Sequence, residues 1–226
     1  AANVTQIIVV VAAVPAYHED LVNRCLVAAE HGGVSALILL NKADLPESAA
    51  ALDSLKLYRQ LDYRVLALSA RRDIQPLRPL LRHQVSVLVG QSGMGKSTII
   101  NHLLPQAAAR TDEISRALGS GRHTTTHARL YHLDATSRII DSPGLQQFGL
   151  HHLQLDDVVQ AFVEFRSFLG QCRFRDCRHL GEPGCAVASA CDDHRISKRR
   201  LAAYRALARE LAPAEKRSSR PASGRR

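Results

Sequence analysis

The stretch that most restricts the possible fold is GQSGMGKST, residues 90–98. It satisfies the pattern G-x-x-x-x-G-K-[ST], and it lies between a β-rich run, QVSVLVG, and a predicted helix over 95–104. Its glycines allow consecutive backbone N–H groups to face a phosphate, and the helix N-terminus adds partial positive charge. A Gly/Ser loop with a surface lysine is the alternative, but the strand–loop–helix context favours a phosphate-binding loop in an α/β domain.

The phosphate-loop motif predicts a role for each of its residues. Lys96 is expected to reach the β- and γ-phosphates, as a binding and a catalytic group, and the Ser97 hydroxyl is expected to bind Mg²⁺. The residues of the loop predicted to contact the nucleotide are Gly90, Gln91, Ser92, Gly93, Met94, Gly95, Lys96, Ser97 and Thr98.

The rest of the chain also indicates an α/β architecture. Apolar residues make up 46% of the sequence but aromatic residues only 4%, which suits α/β packing better than an all-β sandwich. Continuous apolar runs predict buried strands at 6–14, 35–41, 63–69 and 84–90, with further strands at 126–133 and 137–141. Helical patterns occupy 18–30, 46–61, 73–82 and 95–104. Such alternation predicts a mostly parallel sheet with helices on both faces.

Beyond Gly144 this alternation stops. We expect a helix over 155–169, a Cys/His/Gly/Pro-rich loop over 170–194 and a basic helix over 195–211. The domains predicted are a nucleotide-binding domain (1–150), a small helical domain (151–212) and a basic, disordered tail (213–226).

Two further motifs follow the phosphate loop. DSPG at 141–144 ends a predicted strand, so Asp141 is placed to hold Mg²⁺ and the Gly144 amide to meet the γ-phosphate. HTTTH at 123–127 lies in a predicted mobile loop, and one of its threonines would complete the Mg²⁺ shell.

The sequence does not choose among Thr124, Thr125 and Thr126, and we take Thr125 and Thr126 as the nucleotide ligands. A Thr-rich start of a strand is the alternative interpretation of this run.

An Asn-Lys-x-Asp tetrad, NKAD at 41–44, precedes the phosphate loop. Asp44 offers a bidentate acceptor to the N1–H and 2-amino group of guanine, a pattern that adenine does not match. Asn41 would brace the neighbouring loops, and the stem of Lys42 would lie over the base. A backbone N–H from Ser69-Ala70 would meet the base oxygen. Together with the phosphate loop, the tetrad (including Ala43) predicts GTP rather than ATP.

These elements occur in the order tetrad, Ser-Ala, phosphate loop, Thr run, Asp-x-x-Gly, which rotates the usual order of a GTPase. The order of these motifs and the residues in them resemble those of the ribosome small subunit-dependent GTPase A family, which are bacterial circularly permuted GTPases. The matching stretches are NKADL (41–45), GQSGMGKST (90–98), GRHTTT (121–126), DSPG (141–144) and a Cys-rich C-terminal segment. Members of that family carry an OB-fold before the permuted domain. Since this sequence begins at AANV, we expect that domain to have been removed or lost.

The resemblance also implies a zinc site, C-x4-C-x-H-x5-C, which maps onto Cys172, Cys177, His179 and Cys185. Three thiolates and an imidazole form a closed tetrahedral set, which is typical of structural rather than catalytic zinc. The five cysteines of the chain are an odd number, and this favours reduced thiols over a disulfide framework. Cys191 and His194 are rival ligands, and four reduced cysteines without a metal are the other alternative.

The residue that follows Asp-x-x-Gly is Leu145, which cannot orient a water molecule as glutamine does in many signalling GTPases. We therefore expect slow hydrolysis by the chain alone. His123 is the catalytic candidate by resemblance, because an imidazole can position or deprotonate the attacking water.

The function implied is a GTP-hydrolysing factor in late maturation of the small (30S) ribosomal subunit, stimulated by that subunit. Its expected partners are GTP or GDP and 16S rRNA, which fits a net charge of +9 concentrated toward the C-terminus. We expect a cytoplasmic monomer that binds no membrane, with Zn²⁺ and Mg²⁺ as cofactors. The alternative is an RNA-binding zinc module for which GTP is only a conformational ligand. A large-subunit assembly GTPase is a third interpretation, against which GRHTTT and the Cys/His pattern argue.

Overall fold

A computed structural model gives the structure of the protein and describes residues 3–104, 128–141, 150 and 152–218. The chain divides into two compact units, Ala1–Phe148 and Gly149–Arg226, called here the sheet unit and the C-terminal unit.

The sheet unit is built on one sheet, which has six strands in the described residues. They are β1 (Gln6–Val11), β2 (Ser35–Leu40), β3 (Arg64–Ala67), β4 (Val85–Val89), β5 (Arg129–His132) and β6 (Arg138–Asp141). Their order across the sheet is β3-β2-β1-β4-β6-β5. All neighbouring pairs are parallel except β5 and β6, which are antiparallel. The predicted mostly parallel sheet is confirmed.

The strands in the middle of the sheet are buried on both faces, which explains their continuous aliphatic sequences. Every residue of β1 is buried, and so are the last four of β2. The strands are shorter than the apolar runs that predicted them; β1, for example, ends at Val11, four residues before Pro15. The core of the sheet unit is accordingly aliphatic, with Ile8, Leu37 and Leu88 fully buried in it.

The helices of the sheet unit are α1 (Glu19–Gly32), α2 (Ser48–Ser54), α3 (Lys56–Gln60), α4 (Arg78–Leu81) and α5 (Lys96–Leu103), with a 3-10 turn at Gln75–Leu77. The single helix predicted over 46–61 is wrong, because α2 and α3 are separated at Leu55. There the Leu55 N–H lies within hydrogen-bond distance of both the Ala51 and the Leu52 carbonyls, a 3-10-like tightening of the turn.

The C-terminal unit contains α6 (Leu155–Ala161), a 3-10 helix (Val163–Phe168), α7 (Ala186–Asp192) and α8 (Lys198–Ser218). Its core is aromatic, with the ring centroids of Phe162, Phe165 and Tyr204 between 5.1 and 5.4 Å apart. Beside them Arg200 forms a buried bidentate ion pair with Glu164, at 2.6 and 3.1 Å.

Three predictions for the C-terminal unit need correction. The helix predicted over 155–169 leaves the α conformation at Phe162, where ψ is 89°, and continues as a 3-10 helix. The predicted loop 170–194 contains α7, a short helix that starts where the Cys185 sulfur accepts a hydrogen bond from the Ala188 N–H. The last helix runs to Ser218, so the disorder predicted from residue 213 is wrong for 213–218. None of the helices in the described part of the chain combines the length and the hydropathy that a membrane span requires.

Candidate nucleotide site and metal cluster

The nucleotide motifs lie together at one edge of the sheet. The tetrad follows β2, Ser69-Ala70 follows β3, the phosphate loop follows β4, and Asp141 is the last residue of β6. Because these strands are parallel, their carboxyl ends share the edge at which α/β proteins bind ligands. The rotated chain order therefore still brings the described motifs to one edge of the sheet.

Asn41 links two of these loops. Its side-chain Nδ2 donates to the Met94 carbonyl at 2.9 Å, and its Oδ1 accepts from the Ala70 N–H at 3.0 Å. The residue is only 2% exposed, so these bonds satisfy amide groups that water does not reach. The side chain thus holds the phosphate loop and the Ser-Ala segment in fixed relation, which is the bracing expected from the sequence.

Lys42 makes a second link, which sequence reasoning missed. Its ammonium donates to the Gly93 carbonyl and to the Val14 carbonyl, both at 2.7 Å. Its backbone is left-handed, with φ of 59°, a conformation that costs energy for a residue with a Cβ. The β1–α1 connection therefore belongs to the site, although no motif in that segment indicated it.

Asp44, the predicted guanine-reading residue, lies at the same edge. A hydrogen bond from the Ser69 hydroxyl, with smaller contributions from Arg72 and Arg71, holds its pKa below the ordinary value. The Arg72 Nε lies 3.5 Å from the carboxylate. Asp44 is thus ionised at neutral pH and can act as the double acceptor that guanine requires.

The close packing of the phosphate loop explains two of its glycines. Gly95 has φ of 93°, and a Cβ at this position would collide with the Asn41 amide. A Cβ at Gly90 would collide with the Val10 carbonyl of β1. Glycine is required at both positions because the loop lies against neighbouring parts of the site.

Lys96 and Asp141 are the charged residues predicted to act at the phosphates and at Mg²⁺. The Lys96 ammonium donates to the Gly90 carbonyl at 2.5 Å and the Gln91 carbonyl at 3.1 Å. Burial lowers the pKa of Lys96 and raises that of Asp141, which is 5% exposed. Each charge opposes the shift that burial imposes on the other.

These residues fit a magnesium nucleotide. The Lys96 ammonium and the N-terminus of α5 could supply positive charge for phosphates, and Ser97, in the first turn of α5, and Asp141 could supply oxygen ligands for Mg²⁺. The other predicted nucleotide residues, His123, Thr125, Thr126 and Gly144, lie outside the described residues together with Leu145.

The metal-ligating side chains predicted in the C-terminal unit come together. Ligand atoms of Cys172, Cys177, His179 and Cys185, called here the metal cluster, all lie within 4.8 Å of one another. The His179 Nδ1 is 3.5, 3.6 and 3.3 Å from the three sulfurs, taken in chain order. Tetrahedral zinc with ordinary bond lengths would separate nitrogen and sulfur by about 3.6 Å. The donor set and its spacing therefore fit one metal ion.

Local contacts favour the protonation states that some of these side chains need as metal ligands. Backbone N–H groups of Ala186 and Ala188 lie 3.3 and 3.4 Å from the Cys172 and Cys185 sulfurs, which suits thiolate ligands. Burial lowers the pKa of His179, which keeps the imidazole neutral, as a metal ligand must be. The rival ligands Cys191 and His194 are not part of the metal cluster, and Cys191 is buried in α7.

Sequence reasoning also missed Glu182, between the last two ligands. Its carboxylate accepts hydrogen bonds from the N–H groups of Arg178, Leu180 and Gly181, at 2.8–3.0 Å. Farther along the chain, Arg205 donates to the His179 carbonyl at 3.1 Å. In the sequence, Glu182 is recognisable only as a single acidic residue in GEPG, between the metal-cluster residues His179 and Cys185. The N–H groups that it binds are seen only in the folded structure.

Comparison with known proteins agrees with this geometry. The sequence model of the RsgA GTPase family matches residues 1–151. The small ribosomal subunit biogenesis GTPase RsgA of Nitrosospira multiformis is 58% identical over 212 residues, which cover 93% of this chain and 68% of the relative. The protein of the same name from Nitrosomonas europaea is 53% identical over 215 residues, with the same coverage.

Two solved structures are similar as well. YjeQ from Thermotoga maritima has a TM-score of 0.75 and 28% identity, over 93% of this chain and 72% of its own. YloQ, a circularly permuted GTPase, has a TM-score of 0.72 and 26% identity, over 97% of this chain and 71% of its own. The predicted fold class, a circularly permuted GTPase domain, is confirmed.

Proposed function

We propose a function for this chain from one premise, that it belongs to the RsgA GTPase family. As a GTPase, the chain hydrolyses GTP to GDP and phosphate with Mg²⁺. Its curated relatives are named for small ribosomal subunit biogenesis, and we propose that this chain acts late in the maturation of that subunit. The partners proposed are guanine nucleotides and the 16S rRNA of that subunit, with the chain acting as a cytoplasmic monomer.

The observation that carries the proposal is the pair of hydrogen bonds made by Asn41, which join the phosphate loop to the Ser-Ala segment. With these loops fixed, the Asp44 carboxylate accepts from the guanine N1–H and 2-amino groups, and the Ala70 region faces the base oxygen. Lys96 neutralises charge on the phosphates, while Ser97 and Asp141 hold Mg²⁺, which offsets charge developing on the phosphoryl oxygens. Guanine recognition and phosphate binding thus depend on one hydrogen-bonded frame.

For hydrolysis we propose that His123 positions the attacking water, since Leu145 offers no polar group for this task. Turnover by the chain alone would then be slow, and binding of the small subunit would raise it. His123→Ala should lower subunit-stimulated turnover while GDP affinity stays unchanged. Stimulated turnover equal to that of the unaltered chain would remove His123 from the mechanism.

For the C-terminal unit we propose a structural zinc ion and contact with ribosomal RNA. The zinc assignment rests on three sulfurs and one imidazole, a set that favours zinc over the oxygen-seeking Mg²⁺ and Ca²⁺. The RNA contact rests on exposed basic residues, which are Arg173, Arg175, Arg178, Lys198 and Arg199.

The test is GTP hydrolysis by the chain alone, with small subunits and with large subunits. We expect stimulation by small subunits only, and loss of activity in Lys96→Ala, which lacks the phosphate-neutralising ammonium. Lys56→Ala is the matched control, because Lys56 is an exposed lysine paired with Asp53 on α2. Equal rates with both subunits would contradict the small-subunit proposal. Negligible turnover under all conditions would instead favour an RNA-binding module that uses GTP as a conformational ligand.

A further inference from the structure

An exposed aromatic ring lies between two ligands of the metal cluster. Among the residues the structure describes, the large hydrophobic side chains that are exposed are Val14, Leu130 and Phe174. Phe174 is the aromatic member of this group and is 42% exposed. The other phenylalanines of the C-terminal unit, Phe162, Phe165 and Phe168, are buried. Phe174 therefore lies outside the buried core that these three rings belong to.

The segment that carries Phe174 is held at both ends. Cys172 and Cys177 are metal-cluster ligands on either side of it, and the Cys177 N–H lies 3.3 Å from the Phe174 carbonyl, closing a turn. The Arg173 N–H donates to the Gly184 carbonyl at 2.9 Å, which joins this turn to the loop before the last ligand. An exposed ring on a fixed turn loses little conformational entropy on binding.

The segment that carries the ring also carries three arginines. The Arg173 guanidinium lies 5.5 Å from the ring centroid, in a cation–π contact, and Arg175 and Arg178 are exposed on the same segment. One exposed acid, Asp176, partly offsets these charges. The nearby Glu182 carboxylate already accepts hydrogen bonds from backbone N–H groups within its own loop. The segment therefore combines an aromatic face with a net positive charge.

Arginines around an exposed aromatic side chain are the combination that binds unpaired nucleotides, because the ring stacks on a base while the guanidinium groups contact phosphates. We propose that Phe174 is a base-stacking residue that receives an unpaired nucleotide of RNA. This inference rests on the proposed contact with ribosomal RNA and adds a recognition mode, since charge alone would not distinguish an unpaired strand from a duplex.

The probes are a labelled single-stranded RNA of about ten nucleotides, a duplex RNA of the same length, and heparin, a polyanion without bases. The variants of the full chain are Phe174→Ala, Phe174→Leu and Phe174→Trp. We expect Phe174→Ala and Phe174→Leu to bind the single strand roughly tenfold more weakly, and Phe174→Trp to bind as tightly as the unaltered chain. Binding of duplex RNA and heparin should change less than twofold, and zinc content and thermal stability should be unchanged in all three variants.

Several results would overturn the proposal. Phe174→Leu binding the single strand normally would show that the ring only supplies apolar surface. Equal losses for single strand and heparin, or no binding of the single strand by the unaltered chain, would also rule out base stacking. If Phe174→Ala weakens binding to small subunits but not to the single strand, the ring contacts a ribosomal protein instead. Normal Phe174-dependent RNA binding without stimulation of GTP hydrolysis by small subunits would contradict the proposed function and leave this inference standing.

Discussion

The two units of the chain hold their functional groups in different ways. In the sheet unit, aliphatic strands such as β1 and β2 are buried on both faces, and the loops at their ends are joined by side-chain hydrogen bonds from Asn41 and Lys42. In the C-terminal unit, a small aromatic core and one buried ion pair lie beside four metal-ligating side chains.

The two units differ in what stabilises the arrangement of their functional groups. A sheet with a large aliphatic core fixes the ends of its strands, and side-chain hydrogen bonds such as that from the Ala70 N–H to Asn41 join the loops that follow them. A unit of fewer than eighty residues has a smaller core, and a metal ion bound at the metal cluster would supply additional folding free energy. We therefore expect the nucleotide site to be preorganised and the C-terminal unit to depend on its metal.

The largest expected effect is removal of the metal. Structural zinc contributes about 10–16 kcal/mol of apparent binding free energy in small zinc peptides, so a chelator or Cys185→Ser should unfold the C-terminal unit. Circular dichroism and proteolysis would follow the loss of α7 and α8, while GDP affinity should persist. Cys191→Ser is the matched control, because Cys191 is buried in the same unit but lies outside the metal cluster. A C-terminal unit that keeps its helices after complete chelation would remove the contrast between the units.

The next effect concerns the ion pair between Glu164 and Arg200, whose side chains are 6% and 1% exposed. Glu164→Ala leaves the Arg200 charge buried without this carboxylate, which should cost about 3–5 kcal/mol of stability, measured by denaturant unfolding. The double variant Glu164→Leu with Arg200→Met should recover much of this loss, because it buries no charge. If the double variant is as unstable as the single one, packing rather than charge explains the role of the pair.

In the sheet unit, Asn41→Ala should weaken GDP binding and lower stability by about 2–3 kcal/mol. The reason is that the buried Ala70 N–H and Met94 carbonyl lose their partner. Titration calorimetry and thermal unfolding measure the two effects. Asn41→Asp keeps an acceptor for Ala70 but no donor for Met94, and it should lie between Asn41→Ala and the unaltered chain. Normal GDP affinity in Asn41→Ala would show that the loops are held by other contacts.

The fold and much of the site were predictable because their signals are local. The aliphatic runs, the glycines of the phosphate loop and the spacing of the metal ligands each identify their element without knowledge of the tertiary structure. What escaped prediction depends on tertiary contacts, such as the Lys42 ammonium on the Val14 carbonyl and the three N–H groups around Glu182. The short helix α7 also escaped, because seven residues beside a ligand cysteine carry too little periodicity.

The smallest expected effect is on pH dependence. Since the Ser69 hydroxyl is the main cause of the lowered pKa of Asp44, Ser69→Ala should move that pKa up toward its ordinary value. Guanine binding needs the ionised carboxylate, so GDP affinity is present at higher pH and is lost as the pH falls through the pKa of Asp44. In Ser69→Ala this loss should begin at a higher pH, whereas Arg72→Ala should shift it less. Identical pH profiles for Ser69→Ala and the unaltered chain would contradict this role of Ser69.

If the rotated chain order forms one guanine site that Asp44 reads, the nucleotide preference of Asp44→Asn is the measurement that reveals it most directly. Xanthine keeps the N1–H of guanine but carries an oxygen in place of the 2-amino group, so an asparagine amide can accept from one and donate to the other. We predict that Asp44→Asn binds GDP about 100-fold more weakly and prefers xanthosine diphosphate. Unchanged GDP affinity, or equal weakening for both nucleotides, would contradict the assignment of Asp44.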